Sequence, residues 1–390
     1  MRQPNYETPL QVVANSLRHY YGIETRMEEV FGSDIFPSNV AGTTETGTAY
    51  YTLRYNPKVR TLLALYNMAT DKGCDTGEAI IHYVLFHAFL EADDYSAAGC
   101  HLDAFHREII RLQPTLRSGE EREEAGAQVF MQIFFTLFHE AFHIIFHHKP
   151  EDRTLTFETT RDLLRDIKAE LEDGLSMVSE EELLRHPKTR QHLSNLIPPS
   201  LPEPEREAME AEMREQMSHN PFSLEYIESV IQGADETLVE EISCDRQAWL
   251  NLLSILQSDG ATGRDILQIH LWFFTVFNAM DFNKVLQSQY HPALHERYRY
   301  DGRRVVLRHK AFKTLVRQYS PEIYKTVKSE YLDLNVGLEA IFRSSVLGLH
   351  RYEADLQRLY ILHGEGTPHP DFMQNDRLEK EMEKVSRMLV

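Results

Sequence analysis

The chain has 390 residues, 42% of them hydrophobic and 26% charged, which suffices for one large core or two to three smaller ones. Acidic residues outnumber basic ones by 60 to 41, a formal charge of −19 that argues against a nucleic-acid surface and against anionic membranes, since both call for basic patches. Three scattered cysteines, Cys74, Cys100 and Cys244, give neither a disulfide framework nor a thiolate zinc site, so a reducing compartment fits.

The N-terminus, MRQPNYETPL, lacks the apolar stretch of a signal peptide. The two longest apolar runs, Met131 to His148 and Ile266 to Met280, fall short of the roughly 20 residues that span a bilayer. The expectation is a soluble, cytoplasmic protein without membrane or nucleic-acid partners.

Leu10, Val13, Leu17 and Tyr20 predict a helical segment from Pro9 to Phe31. Gly42 to Gly47 reads as a turn region, and Thr48 to Tyr55, TAYYTLRY, as a strand ended by Asn56 and Pro57. Such a strand at a sheet edge is able to pair with an extended peptide, although an ordinary hairpin is the simpler expectation. Val59 to Ile110 is helical in pattern. His82, Tyr83, His87, His101 and His106 fall there and are expected to serve packing.

After a turn at Gln113 to Gly119, the acidic Glu120 to Glu124 suit a helix start, and the helix should run to Lys149 and Pro150. Its second half, MQIFFTLFHEAFHIIFHH, is apolar nearly all round except for His139, Glu140 and His143. Residues four apart lie on one helix face, so His139 and His143 can grip one ion from the same side. This is the HExxH arrangement, in which two imidazoles ligate zinc and the intervening glutamate is general base on a zinc-bound water. Burying these groups among phenylalanines without partners would cost several kcal/mol, and a metal meets that need.

Glu151 to Glu182 reads as a charged amphipathic helix with Leu163, Ile167 and Leu171 on one face. Ile197 to Glu207, IPPSLPEPERE, is proline-rich and acidic, as a linker or exposed loop is, and Met209 to Met217 is a polar helix candidate. Helical patterns return at Leu224 to Ile231, Glu236 to Leu256, Arg264 to Gln289 and Ala311 to Leu362, before a polar stretch from Gly364 and a charged tail. The expected organisation is 1–178 with the HExxH helix, 179–222 as an acidic insertion or lid, 223–310 as the second half of the core, and 311–390 as a C-terminal helical region.

A catalytic zinc usually takes three protein ligands. The metzincin pattern puts the third ten positions after the first, where Lys149 stands, so that option fails. His147 continues the same helix line but three successive turns cannot wrap one ion; it is a substrate-side or packing residue. Glu241 and Asp245 share a face of a downstream helix, so Glu241 can ligate while Asp245 accepts a ligand histidine's free N–H, with Glu240 as the alternative ligand. Tyr290 to Arg297 adds His291 and Arg297, donors suited to a developing oxyanion.

HExxH, ExxxD and HPxxxxR in that order resemble the glutamate-type zincin (gluzincin) metallopeptidases, in particular the group of the CaaX prenyl endopeptidases and their soluble relatives. A weaker likeness extends to Lit-type and ImmA-type peptidases. The resemblance implies zinc ligation by His139, His143 and Glu241, base chemistry by Glu140, support by Asp245, and transition-state contacts from His291 and Arg297. The expected fold is a mainly α zincin-like core with a small N-terminal β element and helical insertions. The expected function is zinc-dependent cleavage of a cytosolic polypeptide, restrained by an activating protein or ligand. The alternative is a non-catalytic regulatory or binding protein with a metal-stabilised core.

Overall fold

A helix that is apolar around most of its circumference has to be covered on most sides. A computed structural model of the protein describes residues 7–30, 35–44, 47–72, 76–112, 119–172, 202–204, 224–258, 260–290, 302–319, 321, 349–365 and the isolated positions 378, 380, 382 and 386. In chain order come α1 (Glu7–Ser16), a π-helical turn (Leu17–Tyr21), β1 (Thr25–Glu29), β2 (Ser38–Thr43), β3 (Ala49–Tyr55), α2 (Val59–Lys72), α3 (Gly77–Glu91) and α4 (Tyr95–Leu112). Then follow α5 (Gly119–His148), α6 (Pro150–Glu172), α7 (Leu224–Ile231), α8 (Glu236–Ser258), α9 (Gly263–Tyr290), α10 (Gly302–Tyr319), a 3-10 turn (Leu349–Tyr352) and α11 (Glu353–Glu365). The protein is mainly helical, with one small three-stranded sheet.

The axis of the fold is α5, which packs against α1, α2, α6, α8, α9 and the sheet. Its Phe135 stacks on Phe273 at 4.4 Å and meets Phe277 and Phe312 edge-on, while Trp249 closes the cluster from α8. Each such buried side chain contributes about 1.5–3 kcal/mol. The stretch Glu123–His148 is long and apolar enough to cross a membrane, longer than the sequence reading allowed, but 78% of its most apolar window is buried inside the protein. Enclosure by five other helices accounts for that apolarity.

One polar lock crosses this core. Gln132 and Asn67 exchange two amide hydrogen bonds at 2.9 Å each, and Gln132 Nε2 also donates to the Trp272 carbonyl at 2.8 Å. These bonds join α2, α5 and α9. Replacing Gln132 by Leu removes all three and is expected to cost about 1–3 kcal/mol, read as a lower urea midpoint with an unchanged slope.

In the sheet β3 is central, with β1 parallel on one side and β2 antiparallel on the other. Tyr51, Leu53 and Tyr55 turn their buried side chains towards the helices. One expectation is corrected here. The segment expected to be helical from Pro9 to Phe31 includes β1, whose TRMEE is almost wholly exposed and carries no apolar alternation. The expected turn closes an ordinary β2–β3 hairpin, with Gly42 and Thr43 ending β2 and Thr44 bonded to Gly47 and Thr48, and the expected strand, β3, is internal because β1 pairs with its other side. Small residues in β2 have a packing reason: a Cβ on Gly42 would sit 2.6 Å from the Tyr50 ring.

Helices α7 to α10 join the same core as α5 and α6, and α10 runs across position 310 without a break. The segment 179–222, apart from 202–204, lies outside the described residues, as does most of the expected C-terminal tail.

The 3-10 turn and α11 are tied to α3 and α4 through histidines. Tyr352 donates to Glu78 at 2.5 Å, His82 Nε2 lies 3.1 Å from the Tyr352 hydroxyl, and His82 Nδ1 lies 3.0 Å from His101 Nδ1. His101 Nε2 faces Asp355 at 3.7 Å. Burial, then the neighbouring His82, lowers the His101 pKa to about 4, and burial also lowers that of His82. The unfolded chain, with histidines near 6.5, therefore binds more protons between about pH 4 and 6.5. Stability is full above that window and falls as pH drops through it, by up to about 3 kcal/mol for His101. Asp355, raised by burial, contributes with the opposite sign. Denaturation curves at pH 7 and 4.5 should show this loss, and His101→Gln should reduce it.

Candidate metal centre

His139 and His143 are one turn apart on α5, and Glu240, Glu241 and Asp245 project from the helix packed against it, α8. The two imidazoles meet through their Nε2 atoms, 3.2 Å apart. Glu241 completes the group, with Oε2 3.4 Å from His139 Nε2 and Oε1 3.7 Å from His143 Nε2. His139, His143 and Glu241 each offer one donor atom within 4.8 Å of the others. Ligands held at 2.0–2.1 Å around a tetrahedral ion stand about 3.3 Å apart, so the spacing suits such an ion.

The opposite ring nitrogens determine what those Nε2 atoms offer. His139 Nδ1 lies 2.8 Å from Asp245 Oδ1, in close contact though without an aligned hydrogen bond, and His143 Nδ1 is hydrogen-bonded to Glu240 Oε1 at 2.9 Å. A carboxylate beside Nδ1 holds the proton there, which leaves each Nε2 with a lone pair. Two lone pairs and a carboxylate directed at one point repel unless a cation sits between them. Glu241 Oε2 is itself buried without an aligned hydrogen bond. The donor set, with a carboxylate oxygen that no aligned hydrogen bond satisfies, fits a metal ion.

Each supporting carboxylate has its own arginine. Arg308 of α10 donates through Nε and Nη2 to the two oxygens of Asp245 at 2.5 and 2.8 Å, and its Nη1 lies 3.2 Å from Glu241 Oε2. Arg153 of α6 donates to Glu240 at 3.0 Å. Burial would push the Glu241 and Asp245 carboxyls up, but Arg308 foremost, with His139, outweighs it and holds both below the usual range, Glu241 well below. The hydrogen bond from His143, against burial and with help from Arg153, lowers Glu240. Burial opposes charge on His139, yet Asp245 and then Glu241 raise its pKa to about 9. The centre therefore favours positive charge at neutral pH even when a proton is the only cation.

Glu140 turns away from this cluster towards the sheet, where Asn39 of β2 donates to its Oε2 at 2.6 Å. Cys244 is fully buried beside the acids, and burial followed by Glu241 and its neighbours pushes its thiol well above the ordinary range, so it packs as a neutral group. His147 is exposed and meets the Tyr51 ring edge-on at 5.8 Å, and His148 Nδ1 lies 3.1 Å from the Tyr51 hydroxyl.

The structure thus brings His139, His143, Glu241 and Asp245 together, with Glu140 on the adjoining face of α5. Glu240 stands behind His143. His291 and Arg297 lie outside the described residues. Asn39, Arg153 and Arg308 were not singled out from the sequence. Asn39 sits in a strand with little β signal, and Arg308 is one of several basic residues in GRRVVLRHK. Comparison with family models, curated proteins and solved structures gives no match for this chain.

Proposed function

We propose that the chain is a zinc-dependent endopeptidase of the gluzincin type, with a zincin-like core, that hydrolyses a peptide bond in a cytosolic polypeptide. The observation that carries this reading is the convergence of two Nε2 atoms and a Glu241 carboxylate, each imidazole backed by its own acid. Two imidazoles and one carboxylate form the donor set of catalytic zinc sites that keep a fourth position open.

His139, His143 and Glu241 would hold the ion, and a zinc there supplies Lewis acidity to a carbonyl and acidifies water. Glu140 takes the proton of the attacking water and returns it to the leaving amine, the work of a general base and then acid. Asn39 keeps that carboxylate in a fixed rotamer at the sheet edge. His291 and Arg297 remain proposed donors to the oxyanion, and the acidic segment 179–222 a proposed lid or docking site for an activating partner.

Mapping new protein N-termini in cells that express the wild type or Glu140→Gln tests the reading. Termini found only with the wild type are expected. Identical sets would favour the regulatory alternative, a metal-stabilised core without hydrolysis.

A further inference from the structure

We infer, resting on the peptidase reading above, that Arg308 is a positioning residue for the metal centre, acting through Asp245 and Glu241 rather than on a substrate. Its fork spans both acids of α8 at once: two nitrogens hold the two oxygens of Asp245, and the third faces Glu241 Oε2. The side chain is buried, with the guanidinium 4.9 Å from the centre of the Phe277 ring. Its orientation is therefore set by the core.

A bidentate pair fixes a carboxylate in plane as well as in place. With both oxygens held, Asp245 cannot rotate away from His139 Nδ1, and the His139 ring is kept with Nε2 towards His143 and Glu241. Arg308 also draws Glu241 Oε2 to one side, leaving Oε1 facing His143. The second imidazole has a weaker copy of this arrangement. Arg153 holds Glu240 and Glu240 holds His143, but the Arg153 side chain is 43% exposed, so water screens and loosens it. The buried relay sets the geometry and the exposed one refines it.

Charge and position predict opposite signs, which makes the idea testable. A bare positive charge beside a divalent ion repels it, so if charge were all, removing Arg308 would tighten binding. If position matters, removal weakens it. Lysine keeps the charge and lacks the fork, so it restores little.

The experiment measures zinc affinity by competition with a chromophoric chelator for the wild type, Arg308→Met, Arg308→Lys and Arg153→Met. In parallel, nitrogen-15 NMR of the chelated proteins follows solvent protection of the His139 imidazole N–H. Both Arg308 variants should bind zinc about 10- to 100-fold more weakly and lose that protection, while Arg153→Met changes affinity by less than about threefold. The lysine variant, with its charge retained, guards against a trivial loss of fold. Zinc binding as tight as wild type, or tighter, in Arg308→Lys overturns the inference and leaves the peptidase reading standing. A wild type that binds no zinc removes the peptidase reading. The NMR signal then decides alone, its loss in Arg308→Lys upholding the role of Arg308 in holding His139 and its persistence overturning it.

Discussion

Changing Glu140 to Gln is expected to lower peptide-bond cleavage by about a thousandfold while zinc content stays at the wild-type level. Glu140 is not one of the three converging donors; it lies on the neighbouring face of α5, held from β2 by Asn39. Glutamine has the same shape and still meets Asn39, so the helix and the donor cluster should be undisturbed. What disappears is the ability to accept a proton from water and return it to the leaving group. Turnover and elemental analysis on one preparation separate the cases: lost cleavage with retained zinc supports the base role, and unimpaired cleavage rules it out.

Changing Glu241 to Gln should weaken zinc binding by at least about 100-fold, more than the loss of a supporting group usually costs. The carboxylate is the only anionic member of the donor group, and Arg308 holds it ionised. An amide would offer a neutral oxygen. The thermal consequence follows by linkage, since saturating zinc at about 100 times its dissociation constant adds about 2.7 kcal/mol to the folded state, which the variant should forgo. Glu240→Gln is the natural comparison, because Glu240 backs His143 from Nδ1. It should cost closer to tenfold. A larger loss for Glu240→Gln than for Glu241→Gln would reverse the two assignments.

Much of this centre was legible in the sequence for geometric reasons. Histidines four apart on a helix that is apolar elsewhere have to face one another, and Glu241 and Asp245 have to share a face of theirs. Helix periodicity carries such information. Of the sheet, β3 and its hairpin turn were legible but the outer strands were not, because they are made by β3 and not by themselves: TRMEE and SNVAGT have neither alternation nor β-branched runs, and they become strands by pairing with the two sides of TAYYTLRY. Asn39 was missed for that reason, since its place beside Glu140 depends on the register opposite Leu53. Arg308 was missed for another. Nothing local separates it from Arg303 and Arg304, and only the packing of α10 on α8 brings it to Asp245. His82 and His101 were expected to serve packing, and His101 is buried and His82 half-buried, but the hydrogen bond between His82 and Tyr352 joins residues far apart in the chain and has no local sequence signal.

The most direct check on the central claim is elemental analysis of the purified protein after zinc loading and gel filtration. The account predicts stoichiometric zinc in the wild type and in Glu140→Gln, its loss from His139→Ala and Glu241→Gln, and a melting temperature that falls when a chelator strips the wild type. A wild-type protein that retains no zinc and melts at the same temperature with or without chelator would contradict it.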